Sequence, residues 1–290
     1  ENIKKLKNKK AAGFDGVTNE MIKSSITSMA PAILKLFNHI LHTELFPSKW
    51  GEGYIVPLFK SGDREDPANY RGITISDCLG KLFTKIINNR LLNYLIDNKL
   101  LNRNQIGFIP KQRTTDHILL LKTIIDVFRK NKKCLYLCFV DLKKAFDTVF
   151  RDGLIFKLQT LKISSKRTQL ISNMYQSIQA RVKLARGLTN RFKIQVGTRQ
   201  GCNLSPTLFN IFLNDLPKLL MKGDCQNINI FEQPLNCLMY ADDLVLMSRT
   251  AKGMQNCLNK LAEYCNKWRL SVSIKKTKIL AINKPKSDSH

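Results

Sequence analysis

The chain has 290 residues, which is enough for one large domain or two smaller ones with a sizeable core. Apolar residues make up 43% of it, a share typical of folded domains, so the composition excludes a wholly disordered chain. The 48 Lys and Arg against 22 Asp and Glu give a formal net charge of +26, which favours a polyanionic partner such as nucleic acid. We expect no membrane partner, because no apolar run approaches the roughly 18 residues that a spanning helix needs.

The eight cysteines are scattered through apolar segments, and none has the spacing to histidine that is typical of a zinc site. This usage predicts reduced, partly buried thiols in an intracellular protein. The N-terminus has neither an initiator Met nor an apolar signal core, so we interpret the chain as a piece of a longer protein.

The first 133 residues are predicted to be mainly helical. After a basic segment and a Gly-containing loop, apolar spacing predicts a helix around residues 33–41, and residues 54–59 predict a short strand that ends in turn residues 60–63. Helices are predicted over 79–96 and 118–128, the second with Thr114, Thr115 or Asp116 as its N-cap. An irregular segment, residues 102–113, lies between them.

From residue 134 onward, strands and helices alternate. The predicted elements are a buried strand 135–140, helices 154–162 and 169–177, strands 180–184 and 191–196, a helix opened by Ser205 and Pro206, a hairpin 238–247, a helix from Thr250 to Trp268, and short strands at 272 and 279–282. This order predicts an α+β fold in which helices pack on one face of an antiparallel sheet.

Carboxylates occupy two strand ends in this region. Asp141 ends the buried strand, and Asp242 and Asp243 lie at the tip of the hairpin between two apolar strands. If the strands are neighbours, Asp141 and Asp242 converge, and such a cluster suits hard cations such as Mg²⁺. Two such ions about 3.5–4 Å apart can activate a 3′-hydroxyl and stabilise a leaving pyrophosphate. The alternative is a hairpin in which the two aspartates simply favour the turn.

A Gly-containing loop lies between the two carboxylate segments. Gly197 and Gly201 allow a close backbone approach to a ligand, and Arg199 and Gln200 can donate hydrogen bonds to a phosphate or a base. An ordinary loop before a helix remains the alternative interpretation.

In this order, the segments resemble the reverse transcriptase family, and the likeness is to non-LTR (LINE-type) retrotransposon enzymes. The matching segments are residues 10–17, 60–63 with 69–73, 105–108 with 113–116, those around Asp141, Gly201 and Asp242, and 273–278. The resemblance implies a right-hand polymerase in which residues 1–133 are fingers with an N-terminal extension, 134–284 a palm with a ferredoxin-like antiparallel sheet, and 285–290 a polar tail. The reverse transcriptase domain would cover roughly residues 40–290, and no thumb is expected in the chain.

The resemblance also assigns roles to matching residues. Asp141, Asp242 and Asp243 would be the catalytic carboxylates and, with the Leu142 carbonyl, would bind two Mg²⁺ ions, for which Mn²⁺ could substitute. The nucleotide would be bound by Lys60 and Arg71 at the triphosphate, Phe146 under the sugar, Gln200, and Lys276, which is a candidate acid for the pyrophosphate or a solvated lysine. Template and primer would contact Tyr240, Arg199 and Gly201.

By the same resemblance, the partners are an RNA template, a DNA primer or target, and deoxynucleoside triphosphates. The full-length protein would add a thumb and an endonuclease domain, and it would work in a cytoplasmic ribonucleoprotein and in the nucleus.

Several other functions stay open. They are a group II intron or retron reverse transcriptase, a nucleic-acid-binding protein that has lost catalysis, and a basic structural protein. Phe146 argues against an RNA-templated RNA polymerase, because a bulky ring leaves no room for a 2′-hydroxyl.

Overall fold

The computed structural model describes residues 1–176, 178–230 and 232–284, so the predicted tail 285–290 lies outside the described residues. Glu1–Asp97 and Arg151–Ser205 make up a first unit, and Asn98–Phe150 and Pro206–His290 make up a second. In the described part of the chain, none of the helices combines the length and apolar character needed to cross a bilayer.

The elements as far as residue 141 are mainly helical. They are α1 (Asn19–Ser24), α2 (Ile26–Thr43), α3 (Ser48–Gly51), β1 (Glu52–Phe59), β2 (Tyr70–Ile75), α4 (Cys78–Asp97), α5 (Thr114–Lys130) and β3 (Leu135–Asp141). The helices and strands predicted in this part are confirmed, but β2 was not predicted. The predicted N-caps of α5 are wrong: Arg113 is the N-cap, and the Asp116 carboxylate accepts a hydrogen bond from its backbone N–H at 2.8 Å.

The later elements alternate as predicted. They are α6 (Arg151–Thr160), α7 (Ser165–Gln176), β4 (Gln179–Leu184), β5 (Gly187–Leu188), β6 (Phe192–Lys193), α8 (Ser205–Leu213), α9 (Leu216–Lys222), β7 (Ile228–Ile230), β8 (Gln233–Leu235), β9 (Cys237–Tyr240), β10 (Asp243–Ser248), α10 (Ala251–Trp268) and β11 (Lys278–Ile282). Of the strand predicted over 191–196, only the two residues of β6 form a strand. Helix α9 and the β7–β8 hairpin were not predicted.

The first unit is organised around β1. This strand pairs antiparallel with β2 and parallel with β4, whose other partners are β5 and β6. Aromatic rings pack beside the sheet: Phe37 lies 5.2 Å from Phe83 and 6.1 Å from Trp50, measured between ring centroids. Phe37 belongs to the face of α2 that also buries Ile33 and Ile40, at the three- and four-residue spacing that aligns side chains on a helix.

The second unit contains a four-stranded antiparallel sheet in the order β11-β3-β10-β9. Numbered by their position along the chain, these strands run 4-1-3-2 across the sheet, which is the ferredoxin-like topology. The predicted α+β fold with an antiparallel palm-type sheet is therefore confirmed.

Helices α5 and α10 pack against this sheet. Successive side chains of a strand point to opposite faces, so Leu137, Asp141, Asp243 and Met247 share one face. Helix α10 packs against β3 and β10. Ile124 of α5 joins Leu137 and Met247 in a buried cluster. On the face that carries the carboxylates, α5 thus packs at the end of β3 and β10 that lies away from the aspartates, and Asp243 is exposed.

The two units divide the chain differently from the predicted fingers and palm boundary at residue 133. Residues 98–133 group with the second unit, because α5 packs on the sheet that contains β3. Residues 151–205 group with the first unit, because β4 pairs with β1. The names fingers and palm for these residues stay a prediction.

Candidate catalytic site

Two of the three predicted catalytic carboxylates face each other across neighbouring strands. Asp141, the last residue of β3, is the direct register partner of Asp243, the first residue of β10. Residues directly opposite each other in an antiparallel pair have Cβ atoms about 4.5–5.5 Å apart. Most other residues of both strands are buried, and this packing fixes the edge where the carboxylates lie side by side.

The third carboxylate belongs to the turn between β9 and β10. Ala241 and Asp242 are the two turn residues, since Tyr240 pairs with Asp243. Ala241 is buried and has a φ of +56°, a left-handed conformation that costs about 1–2 kcal/mol for a residue other than glycine. A conformation of this kind persists only where neighbouring groups impose it.

Burial and repulsion among these carboxylates both raise the pKa of Asp243. Partial burial of the carboxyl group, followed by the charges of Asp242 and Asp141, raises the pKa of Asp243. The residue as a whole remains exposed, so the negative charge is concentrated at a point that ligands can reach. Such a site favours the binding of a cation.

The segment that precedes β11 supports Asp141. Backbone N–H of Asp141 donates to the Thr277 hydroxyl at 3.3 Å, and Ser273 N–H donates to the Asp141 carbonyl at 2.8 Å. The turn then brings the Lys276 ammonium to 3.9 Å from the Asp141 carboxylate, although its side chain is 72% exposed. The structure therefore brings Lys276 together with the predicted carboxylates.

Carboxylates and a backbone carbonyl are the ligands that Mg²⁺ prefers. Leu142 follows Asp141 directly and is buried, with Val272 opposite it in an isolated bridge. Within the described ranges, no three His, Cys, Asp or Glu side chains are grouped closely enough to form a ready-made metal site. The donor types fit a hard cation, and the added positive charge would offset the repulsion at Asp243.

The ring of Phe146 is held between two other rings of the second unit. It stacks on Phe209 of α8 with centroids 4.4 Å apart and an interplanar angle of 27°, and Phe108 meets it edge-on at 6.3 Å. Phe209 is fully buried. Phe146, five residues after Asp141, is therefore a fixed side chain near the end of β3.

The predicted triphosphate ligands lie in the first unit. Arg71 on β2 pairs with Leu58 on β1, and Lys60 follows β1 directly, its N–H donating to the Asn69 carbonyl at 2.9 Å. Both residues are exposed. They lie at the same end of the β1–β2 hairpin, where each can reach an anion.

Arg199 has backbone partners that the sequence did not predict. Its guanidinium is enclosed in the first unit and donates to the backbone carbonyls of Trp50 and Glu52, and burial lowers its pKa. This position gives Arg199 a structural role, and its contact with a template stays a prediction. The neighbouring Gly201 has a φ of +90°, and a Cβ there would lie 2.6 Å from the Thr74 carbonyl oxygen, so packing explains this glycine. Gln200 beside it is half-buried.

Sequence reasoning missed two anchoring side chains. Arg151 donates to the carbonyls of Tyr175, Ile194 and Gly197 at 2.8–3.0 Å and so holds the chain that leads into the Gly197–Gly201 loop. Gln105 is buried and hydrogen-bonds both backbone groups of Ala241. The only signal for Gln105 was its place in a family-like segment, which gave it no role.

The family described as Reverse transcriptase (RNA-dependent DNA polymerase) matches residues 60–288 of the chain. The probable RNA-directed DNA polymerase from transposon BS of Drosophila melanogaster is 30% identical over 287 residues, which are 96% of this chain and 31% of that protein. The retrovirus-related Pol polyprotein from type-1 retrotransposable element R2 of Nasonia vitripennis is 27% identical over 272 residues, 94% of this chain and 26% of that protein. The chain therefore spans about a third or less of the length of these relatives.

A solved structure shares the fold. Telomerase from Candida tropicalis, in complex with a TWJ fragment of telomeric RNA, aligns with 86% of this chain and 45% of its own at a TM-score of 0.58 and 16% identity. At that identity, the likeness concerns the fold alone.

Proposed function

This chain belongs to the reverse transcriptase (RNA-dependent DNA polymerase) family, and from that membership we propose that it adds deoxynucleotides to the 3′-hydroxyl of a primer on an RNA template. The observation that carries the proposal is the carboxylate group at one sheet edge. Asp141 and Asp243 are register partners on neighbouring strands, and Asp242 lies in the turn beside them. The resemblance to retrotransposon enzymes that the motifs predict is confirmed by the relatives.

The carboxylates would hold divalent cations in this reaction. We assign Asp141, Asp242, Asp243 and the Leu142 carbonyl as ligands of Mg²⁺, with Mn²⁺ as a substitute. Bound there, the ions would supply Lewis acidity to the primer hydroxyl and to the phosphates. The chain itself fixes the ligands, because β3 and β10 are paired along six residues each and cannot shift independently.

Positive side chains would bind the phosphates. Lys60 and Arg71 are exposed cations at one end of a hairpin and would contact the triphosphate, where charge shifts during phosphoryl transfer. Lys276 would donate a proton to the leaving pyrophosphate. Two observations support that role. The Lys276 ammonium lies 3.9 Å from the Asp141 carboxylate, and its side chain is exposed, so it can move toward a phosphate.

Phe146 would select deoxynucleotides. Its ring is fixed by Phe209 and Phe108, so it cannot turn aside for a 2′-hydroxyl. Tyr240, which precedes the aspartate turn, would border the primer end, while Gln200 and Gly201 would contact the nucleotide or template.

Other parts of the proposal concern the longer protein. We propose an RNA template and a DNA primer or target as partners, an endonuclease and a thumb in the remaining sequence, and work in a ribonucleoprotein and in the nucleus. The eight cysteine side chains, all within the described residues, are free thiols, which suits a reducing compartment.

Primer extension tests the proposal. The full-length protein is given an RNA template, a DNA primer, Mg²⁺ and deoxynucleotides, beside the Asp242→Asn variant and the control Asp126→Asn, which alters an exposed aspartate of α5. We expect extension by the wild type and the control and none by Asp242→Asn. If none of the three extends a primer that all three bind, the chain is a nucleic-acid-binding protein without catalysis.

A further inference from the structure

In the turn that carries the catalytic aspartates, the backbone of Ala241 is hydrogen-bonded by the buried side chain of Gln105. The Gln105 amide nitrogen donates to the Ala241 carbonyl at 3.1 Å, and the Gln105 amide oxygen accepts from the Ala241 N–H at 3.0 Å. One side chain therefore satisfies both backbone polar groups of the left-handed residue. Gln105 itself is only 2% exposed.

The backbone around Gln105 continues this pairing along β9. Met239 N–H donates to the Asn104 carbonyl at 2.8 Å, and Ile106 N–H donates to the Met239 carbonyl at 3.1 Å. Since β9 is the edge strand of the sheet, residues 104–107 lie along an otherwise open edge. We call this stretch the bracket segment.

Two further contacts lock the bracket segment itself. The Gln105 amide oxygen also accepts from the Gly107 N–H at 2.8 Å, and the Asn210 side chain donates to the Gly107 carbonyl at 2.6 Å. Asn210 lies on α8 and is 2% exposed. A Cβ at position 107 would collide with the backbone nitrogen of Ala241, so only glycine allows this close approach.

The turn needs such support because of its conformation. A positive φ at the first central residue alone is the pattern of a type II′ turn, in which glycine is preferred at that place. Ala241 occupies that place, and a wrong setting of its backbone would redirect Asp242 and Asp243. Phe108, which directly follows the bracket segment, has its ring against that of Phe146.

We propose that Gln105 is a positioning residue, which imposes the left-handed conformation of Ala241 and thereby sets the direction of Asp242 and Asp243. The expected effect on catalysis rests on the proposed polymerase function. The hydrogen bonds between Gln105 and Ala241 are independent of that proposal. Gln105 touches no reacting atom; it acts through the backbone of the turn.

Single-nucleotide addition by the full-length protein tests the consequence. Gln105→Ala lowers kcat on the order of 10²-fold, as expected for misplaced catalytic groups, while the KM for the nucleotide and the Kd for primer–template stay near the wild-type values. Gln112→Ala, the same change at an exposed position of the same loop, leaves all three unchanged. A wild-type kcat for Gln105→Ala, or a loss that affects KM and Kd equally, overturns the proposal.

A second substitution separates positioning from general damage. Glycine adopts positive φ without strain, so the double variant Gln105→Ala with Ala241→Gly recovers part of the lost kcat. In a core that had merely been weakened by Gln105→Ala, that glycine would raise stability but not the kcat measured at a temperature where both variants are fully folded. Absence of any recovery therefore contradicts the proposed role.

Hydrogen exchange tests the contact without any activity. In Gln105→Ala, the Ala241 amide exchanges faster, while the amides of β3 and β10 keep their protection. Unchanged exchange at Ala241 overturns the positioning role even in an active enzyme. If Ala241 exchanges faster in Gln105→Ala while the wild type itself extends no primer, the polymerase function is overturned and the positioning of the turn stands.

Discussion

Asp243 is a carboxylate in a place that disfavours its charge. Its carboxyl group is partly buried and lies near Asp242 and Asp141, and each of these conditions raises its pKa. Three carboxylates at one sheet edge do not favour stability, and the proposed cation partner would offset their charge. The conflict between stability and charge can be measured.

We expect Asp243→Asn to raise the free energy of unfolding at neutral pH when no divalent cation is present. The folded chain binds the Asp243 proton more tightly than the unfolded chain, so stability falls as pH rises from the unfolded pKa through the raised folded pKa. Above that window the cost persists, and asparagine removes it. The gain should shrink on acidification to about pH 4. Urea unfolding at both pH values measures it, and Asp126→Asn should show no such gain.

Phe146 carries the prediction about sugar selectivity. Replacing it with valine opens space beside the fixed ring of Phe209, and we expect the preference for deoxynucleotides over ribonucleotides to fall by roughly tenfold or more. Competing single-nucleotide additions give the ratio of kcat/KM for the two sugars. Phe156→Val, at an exposed ring of α6, is the control. An unchanged ratio would show that another group excludes the 2′-hydroxyl.

Sequence predicted these residues to different extents. Asp141, Asp242 and Asp243 were identifiable because strongly apolar strands flank them and strand ends are easily recognised. Arg199 was predicted to contact the template, and a charged residue in a loop gives no sign that its guanidinium will be buried. Only the packed structure shows its carbonyl partners, Trp50 and Glu52.

Arg199 joins the Gly197–Gly201 loop to α3 and β1, so replacing it should weaken the packing between these elements. Arg199→Met keeps much of the bulk but leaves two buried carbonyls without their donor, and we expect a loss of roughly 3 kcal/mol in the free energy of unfolding. Thermal or urea unfolding checks this, beside Arg186→Met at an exposed position. A stable Arg199→Met protein with weakened template binding would instead support the predicted contact of Arg199 with the template.

The bracket segment gives a second prediction about the packing between elements. We expect Gly107→Ala to destabilise the second unit by about 1–3 kcal/mol, because the new methyl group meets the backbone of Ala241 and forces it to shift. Gly223→Ala, where the nearest atom is Cγ of the Lys260 side chain, should cost less. Unfolding curves for both variants make the comparison. Equal losses in the free energy of unfolding for the two variants would mean that the bracket segment shifts at little cost to make room for the methyl group.

Elements with local signals were predicted and those that depend on distant partners were not. Helix α10 was found because Thr250 caps it and apolar residues recur along one face. Strand β2 was missed because its residues follow a short turn and lead directly into a helix, and its identity comes from pairing with β1. The parallel pairing of β4 with β1, across more than a hundred residues, had no local signal.

The whole chain combines a net charge of +26 with one concentrated group of carboxylates. Because the basic residues are spread along the whole length, they predict a nucleic-acid partner without locating its path. The ferredoxin-like order of the second unit was predictable through the family resemblance and is observed. The interleaved composition of the two units was not, because it follows from pairings between distant segments.

The net charge of the whole chain predicts that its binding to nucleic acid depends strongly on salt concentration. Each basic side chain that neutralises a phosphate releases counterions, so the logarithm of the binding constant should fall linearly with the logarithm of salt concentration. For about six or more phosphate contacts, the affinity should drop about 10³-fold or more between roughly 50 and 200 mM salt. Fluorescence anisotropy with an RNA–DNA primer–template gives the slope.

Asp242→Asn serves as the matched variant in that measurement. It removes one carboxylate from the catalytic turn and no basic residue, so its slope should equal that of the wild type while its extension activity is lost. A slope near zero for both proteins would show that the excess of Lys and Arg does not contact phosphates. In that case the charge would serve the solubility of the chain, and primer–template would be bound through other contacts.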